Sequence, residues 1–459
     1  MAQGDQGDFL QAARALSPSR MWALARTIIA AADDDTKTQR SALVAIIVRA
    51  SAAGLAYILQ VFLAQVLGAH EFGLYAYAWI WVMIGGRMGP VGMGQSAVRF
   101  IAEYRDSNQF DLLRGYIASS WVIVWIGSIA LTAIGLAGLY LFEDLVATPY
   151  VMPLYLAVIC IPLFALQGLM EGHALGWSWT GLAQAPAYLL RQGLIIIVVG
   201  TAILAGWPAT AVTAMSAVII ASALSTLFQY TILRRRIGQE IAAGDRQRRM
   251  GYWLKSALPL FLMDSFQMAL TFVDILILGF YVEPAIVAVY FAATRITMLI
   301  SLVQLAVAAA AGQRFAGIAA SQGSAKVAEL VRKTLHWTFW PSLLVAIGII
   351  ASGWLLLRLF GAEFTSAYPL LPVLAIGVLA RASVGPAENL LIMLGHERAT
   401  LIAQVIGSVT NVALNLSLIP TMGIYGAAIA TSISMVMFSA ALEVYVRRRI
   451  GISCWVATA

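Results

Sequence analysis

The sequence predicts an all-α integral membrane protein: twelve transmembrane helices in two six-helix lobes, arranged as parallel repeats around a central cavity. Three observations carry that prediction. Hydrophobic residues make up 61% of the chain and charged residues 11%, where a soluble domain has roughly 45–50% and about a quarter; mean hydropathy is +0.84. Twelve apolar stretches follow Leu43, each near the roughly 20 residues that a spanning helix needs. The longest charged connection falls after the sixth stretch and divides the chain in two.

In chain order, residues 1–41 form a polar cytosolic leader of mixed charge that includes "DDDTKTQR" (33–40). Within it, "MWALARTIIAAA" (21–32) either lies along the membrane surface as an amphipathic helix or belongs to a disordered leader. No cleavable signal peptide is visible. The N-lobe, 42–233, holds spans at 43–67, 72–98, 117–141, 150–170, 181–205 and 209–233. A basic cytosolic linker, "RRRIGQEIAAGDRQRRMGYWLK" (234–255), follows. The C-lobe, 256–446, holds spans at 256–281, 284–311, 335–357, 367–393, 399–420 and 423–446, and a tail at 447–459 ends the chain.

Charge orients these spans. Basic residues crowd alternate connections: Arg14 to Arg40 in the leader, Arg99, Arg105 and Arg114, the linker, Arg314 to Lys333, Arg398, and "RRR" at 447–449. The opposite connections contain one basic residue, Arg358. That asymmetry predicts both termini in the cytoplasm. The net charge of +7 is then explained by loops facing an anionic leaflet, with no nucleic-acid partner implied. Cys160 and Cys454 lie far apart and the four histidines are scattered, so neither a disulfide framework, a metal site nor a cofactor is indicated.

The halves echo each other. "VLGAHEFGLYAYA" (66–78) ends span one and opens span two; "ILGFYVEPAIVAVYFAA" (277–293) ends span seven and opens span eight. Six spans per half keep the two copies in one orientation, as repeats about an axis along the membrane normal. A central cavity between two such halves is the physical expectation for a transporter.

Four segments resemble a known family. "LFGAEFTSAYPLLPVLAIG" (359–377) and "NVALNLSLIPTMGIYGAAIATSIS" (411–434) are similar to the C-terminal half of bacterial polysaccharide flippases. "GMGQSAVRFIAEY" (92–104) and "LGFYVEPAIVAVYFAATRI" (278–296) resemble the same family's second span and its seventh-to-eighth-span junction. That family belongs to the multidrug/oligosaccharidyl-lipid/polysaccharide exporter superfamily. The resemblance runs from about residue 41 to the C-terminus, with a leader longer than the family's usual one. It implies two lobes in a V shape in the bacterial inner membrane. It also implies movement of undecaprenyl-pyrophosphate-linked oligosaccharide from the cytosolic to the outer leaflet, with membrane lipids and polysaccharide polymerase machinery as partners.

Ionisable residues inside the spans point to the cargo's chemistry. Arg49, Arg87, Arg191, Arg295 and Arg381 face Asp264, Asp274 and Glu388, an excess of positive charge at depth. A cation exporter calls for the opposite balance, whereas a pyrophosphate headgroup suits the planar fork of arginine. Arg191, Arg295 and Arg381 fall near the bilayer middle, and intramembrane charges there are expected to be functional. Arg49 and Arg87 sit nearer the cytosolic ends, where capture of the headgroup and snorkelling to the interface are both open. Arg381 and Glu388 are seven residues apart with Pro386 between, so a structural pair competes with cargo contact. Asp264, Gln267, Thr271 and Asp274 fall within about an 80° arc of one helix face. An aspartate there either takes up H+ or Na+ as a coupling ion or neutralises the arginines; the network reading is preferred.

Span two contains "GGRMGPVGMGQS" (85–96), five glycines and a proline in twelve residues. Such a segment does not make a rigid helix, and a hinge at Gly89, Pro90 and Gly92 beside Arg87 is expected, with close packing as the alternative. Tyr57, Trp79, Trp81 and Tyr188 either stack on sugars or anchor the interface, and stay outside the predicted site. The expected function is therefore a flippase for a lipid-linked oligosaccharide, with the inside-negative potential favouring export of the anion. One rival is a multidrug or organic-cation antiporter of the same superfamily, dependent on Asp264 or Asp274. A membrane glycosyltransferase is remote, because short outer loops and no acidic metal motif leave no catalytic pocket. A lipid II flippase typically has fourteen spans, against twelve here.

Overall fold

A computed structural model describes residues 34–145, 147–307, 324–385, 387–393, 396–449, 451 and 453–456. The stretch at 21–32, the end of span eight beyond 307, Arg314, Lys326's side chain and Pro386 therefore lie outside the described residues or side chains. Among the described residues every regular element is helical, and ten helical stretches are long and apolar enough to cross a membrane. The chain is a multi-pass membrane protein. Its outward faces fit that solvent: Ile126, Ile134 and Leu344 stand 65%, 69% and 71% exposed, a cost in water and none in hydrocarbon.

Helix α1 (Asp34–Met88) is interrupted at Gly68, whose φ of 75° and ψ of 167° belong to no helix. Only glycine adopts that region without strain, so the expected loop between spans one and two is a tight glycine turn. Helix α2 (Met93–Asp106) follows a second break, where Val91 and Gly92 have φ of 49° and 73°. Helices α3 (Phe110–Leu141) and α4 (Thr148–Gly176) come next. Helix α4 runs six residues past the expected end of span four, and this has consequences for the site. Span five is composite: α5 (Thr180–Ala185), a π-turn over Pro186–Leu190, and α6 (Arg191–Leu204). The proline without its N–H explains the widened turn.

Helix α7 (Ala211–Glu240) and helix α8 (Met250–Tyr281) both extend into the basic linker, leaving only the segment between them non-helical. Then come α9 (Pro284–Thr297), α10 (Ser324–Arg358), α11 (Leu370–Ser383), α12 (Ala387–Met393), α13 (Glu397–Met422) and α14 (Ile424–Arg449). Span ten is thus split into α11 and α12, the first of which is a shorter apolar helix than the ten.

Helix α4 packs against α1, α2, α3 and α7, while α14 packs against α11 and α13, and α13 against α8. The two groups join along α1 and α9. There the two echoing segments touch directly: a β-carbon on Gly73 would stand 1.8 Å from the Pro284 carbonyl oxygen. Phe72 packs edge-on to Phe291 at 5.9 Å and to Phe364 at 6.0 Å, in a core with Tyr75 and Phe360. Polar ties close the same end. Tyr57 donates to the Leu356 carbonyl (3.1 Å), Gln65 to that of Leu359 (2.7 Å), and the Ala69 N–H to Glu363 (3.0 Å).

The opposite end is tied through the linker. Arg114 donates to the carbonyls of Asp245 (2.8 Å) and Ala242 (3.0 Å) and pairs with Asp111. Trp253 is fully buried, donates from Nε1 to the Tyr104 hydroxyl at 2.9 Å, and meets Tyr116 edge-on. The linker is docked beneath α2 and α3, so it fixes where α8 starts.

Candidate functional site: two cavities along helix α8

Helix α8 lines two adjoining cavities of about 520 and 490 Å³. Asp264, Met268 and Phe272, four residues apart, face the first; Gln267, Thr271 and Asp274 face the second. The polar stripe expected on one face of span seven is shared between two adjoining cavities. Met298 lines both cavities.

The first cavity holds Arg87 and Arg191 with Gln95, Gln167, Glu171 and Tyr188. Arg191 opens α6 directly after the π-turn, and a relay supports it. Ser225 on α7 donates to the Pro186 carbonyl (2.6 Å), Gln167 donates to Ser225 (3.0 Å), and Arg191 donates to Gln167 Oε1 (2.6 Å). The guanidinium also lies 4.0 Å from the Phe164 ring centroid and 5.9 Å from that of Trp79, cation–π geometry. Among the described residues no carboxylate lies within ion-pair distance of Arg191. Arg87, in contrast, pairs at 3.8 Å with Asp264, which also accepts from Gln95.

Arg49 is exposed on α1. With the amide oxygen of Gln184 turned toward it, it donates from Nε at 3.3 Å and Nη2 at 3.2 Å. Glu171 interacts electrostatically with Arg87, Arg49 and Arg191 and lies 3.5 Å from the Tyr188 hydroxyl. One carboxylate thus answers three guanidiniums. Sequence reasoning missed Glu171, because span four was expected to stop at residue 170. It also missed Gln167 and set Tyr188 aside as an interface aromatic. The available signal was the four-residue spacing of Gln167 and Glu171, which puts both on one helix face.

Arg295 lines neither cavity. Its guanidinium lies 4.3 Å from the Phe291 ring centroid, 5.6 Å from that of Phe272 and 3.3 Å from the Met298 sulfur. Two of those three residues form the first cavity's wall, so Arg295 sits one side chain back from it. Its Nε is buried without a partner.

In the second cavity Arg381 pairs with Glu388 at 2.9 Å, and Gln404 reaches the same carboxylate at 3.4 Å. Asp274 is buried and accepts from the Tyr290 hydroxyl (2.6 Å), the Thr431 hydroxyl (3.0 Å) and the Ile275 N–H (2.8 Å). Asn411 approaches Thr431 at 3.5 Å and accepts from Asn415 at 3.0 Å. Of the predicted hinge residues, Pro90 and Gly92 line the first cavity, and Gly89 precedes them at the helix break.

A family model described as polysaccharide biosynthesis protein matches residues 39–311. The chain belongs to that family. As a polysaccharide biosynthesis family protein it is also similar to the probable flippase AglR of Haloferax volcanii, 29% identical over 176 residues. That match spans 38% of this chain and 37% of the relative's length. Among solved structures, an inward-facing multidrug resistance MATE family transporter of the MOP superfamily aligns with a TM-score of 0.74 and 17% identity, over 88% of this chain and 98% of that one. A MOP superfamily transporter from Pyrococcus furiosus, whose description notes a reversed polarity of its binding pocket, gives 0.68 and 17%, over 92% and 96%. The lipid II flippase MurJ, inward closed, gives 0.67 and 17%, over 87% of each chain. The matched relatives are flippases and transporters, and the family protein shares their fold.

Proposed function

We propose that this protein is a flippase that moves an undecaprenyl-pyrophosphate-linked oligosaccharide from the cytosolic to the outer leaflet of a bacterial inner membrane. Twelve crossings in two six-helix lobes accompany this reading. The two beyond the ten apolar stretches come from the Gly68 turn, which divides α1, and from α11 with α12 as one split span. Both termini are then cytoplasmic, and lobes of 42–233 and 256–446 rock about the α1–α9 seam.

The observation that carries the proposal is Arg191: a deep guanidinium on a polar cavity, fixed by Gln167 and Phe164 and, among the described residues, with no carboxylate within ion-pair distance. A positive charge held that way is ready for an anion brought from outside. Arg87 and Arg49 stand on the approach, where the pyrophosphate first meets them. Arg295 joins the site once Met298 moves aside. Of the three predicted acidic residues, Asp264 and Glu388 are spent in ion pairs. Asp274 has only neutral donors within hydrogen-bond reach, so it is the candidate for H+ or Na+ coupling. The cation-antiporter reading rests on that residue and on the fold shared with the MATE transporter.

Flipping in liposomes of a polyprenyl-pyrophosphate-linked sugar decides between the two. Arg191→Ala is expected to abolish transport, with Arg191→Lys partly restoring it, since lysine keeps the charge and loses the fork. Full activity of Arg191→Ala, together with loss in Asp274→Asn, would replace the flippase by the antiporter.

A further inference from the structure

The second cavity is chemically unlike the first. Its only charged pair among the described residues, Arg381 with Glu388, is closed on itself at 2.9 Å. The remaining polar lining is one carboxylate, Asp274, which can only accept when ionised, and neutral side chains whose hydrogen bonds run mostly back to the backbone. Thr271 donates to the Gln267 carbonyl (2.7 Å), Thr294 to that of Phe291 (2.7 Å) and Thr297 to that of Ala293 (3.1 Å). Gln304 donates to the Val378 carbonyl at 3.2 Å. A threonine that bonds back to its own helix turns lone pairs, not hydrogen, toward the cavity. Gln267 adds a side-chain carbonyl oxygen that is buried with no partner at all. With the Asp274 carboxylate, the three threonine oxygens and Gln267 Oε1, the wall is richer in acceptors than in free donors.

Such a wall repels phosphate, which has only acceptors to offer, and welcomes a ligand rich in O–H and amide N–H donors. Sugars fit that description. The volume of about 490 Å³ falls within the range of small-molecule sites, roughly 300–1,000 Å³. Met298 is common to both cavities, so a ligand anchored beside Arg191 has to pass only one flexible side chain to reach this space.

We propose that the second cavity is the glycan subsite, taking the first neutral sugar residues of the cargo through Gln267, Thr271 and Thr294 while the pyrophosphate occupies the arginine cavity. This rests on the flippase reading and adds to it a division of labour between the halves. Cargo with a neutral, N–H-bearing or hydroxyl-rich first sugar is preferred; an anionic sugar at that position is disfavoured.

The test uses the full-length protein in nanodiscs and two probes: undecaprenyl pyrophosphate without sugar, and the same lipid carrying a neutral N-acetylhexosamine disaccharide. Thr294→Val and Gln267→Met are expected to weaken the glycosylated probe by about three- to ten-fold each, the size of a lost hydrogen bond, and to leave the sugar-free probe unchanged. Thr271→Val serves as the second variant should one of these lower the melting temperature. Equal weakening of both probes, or of neither, overturns the glycan subsite. Arg191→Ala reports separately on the underlying reading: it is expected to weaken both probes, and if it weakens neither, the flippase proposal falls whatever the threonines do.

Discussion

Gly92 lies so close to Ala257 that a β-carbon on it would stand 2.2 Å from the Ala257 carbonyl oxygen. The contact joins the break before α2 to helix α8, which lines both cavities. Glycine is required there twice, once by φ of 73° and once by the neighbouring backbone, which has no side chain to swing away. Gly92→Ala is therefore expected to cost at least about 2 kcal/mol, of which the left-handed backbone alone accounts for roughly 1–2 kcal/mol. A thermal melt in detergent measures it. An unchanged melting temperature would show that α8 can lift from α2 at little cost, which is itself the motion a hinge needs.

Asp264 reaches across to Arg87, and the pair is half-exposed. Pairs in that setting contribute little to stability, so Asp264→Asn is expected to leave the melting temperature nearly unchanged. Its effect falls on anions. Removing one carboxylate from a cavity that already holds Arg87 and Arg191 is expected to tighten binding of inorganic pyrophosphate on the order of ten-fold at low salt, and less at high salt. Calorimetric titration at two ionic strengths reads both. Weaker binding would mean that Asp264 holds Arg87 in place and does not compete for it.

Asp274 sits among Tyr290, Thr431 and the Ile275 N–H, with Asn411 and Asn415 behind. Asp274→Asn keeps the shape and removes the charge. Transport driven by an imposed pH or Na+ gradient is expected to lose its gradient dependence in this variant, while glycolipid binding persists. Flipping rates with and without each gradient make the comparison. Undiminished gradient dependence would exclude Asp274 as the coupling group.

The apolar stretches located most helices to within several residues, because a spanning helix has to be apolar along its length and the signal is long. The breaks at 85–96 were equally legible, since glycine and proline act locally. Glu171 was not, because hydropathy fades before a helix ends and α4 continues past the fade. Arg295 shows a different limit. Its depth along a helix follows from counting residues, but whether Phe272 and Met298 cover it depends on a neighbouring helix and on a turn whose sequence is silent about direction. Asp264 and Asp274 line different cavities: helical periodicity groups residues on a face, and no pattern within one helix says which space each of them meets.

The seam between the echoing segments has a consequence of its own. Setting Leu67-Gly68 against Leu278-Gly279 places Gly73 opposite Pro284, and those two residues touch. Like meets like only on a two-fold axis, where a surface is complementary to itself. The chain thus encloses what a symmetric dimer of half-length subunits would have as its isologous interface. Joined in one chain, the two segments are free to differ, so the seam carries Gly73 on one side and Pro284 on the other, a pairing that identical subunits are forbidden.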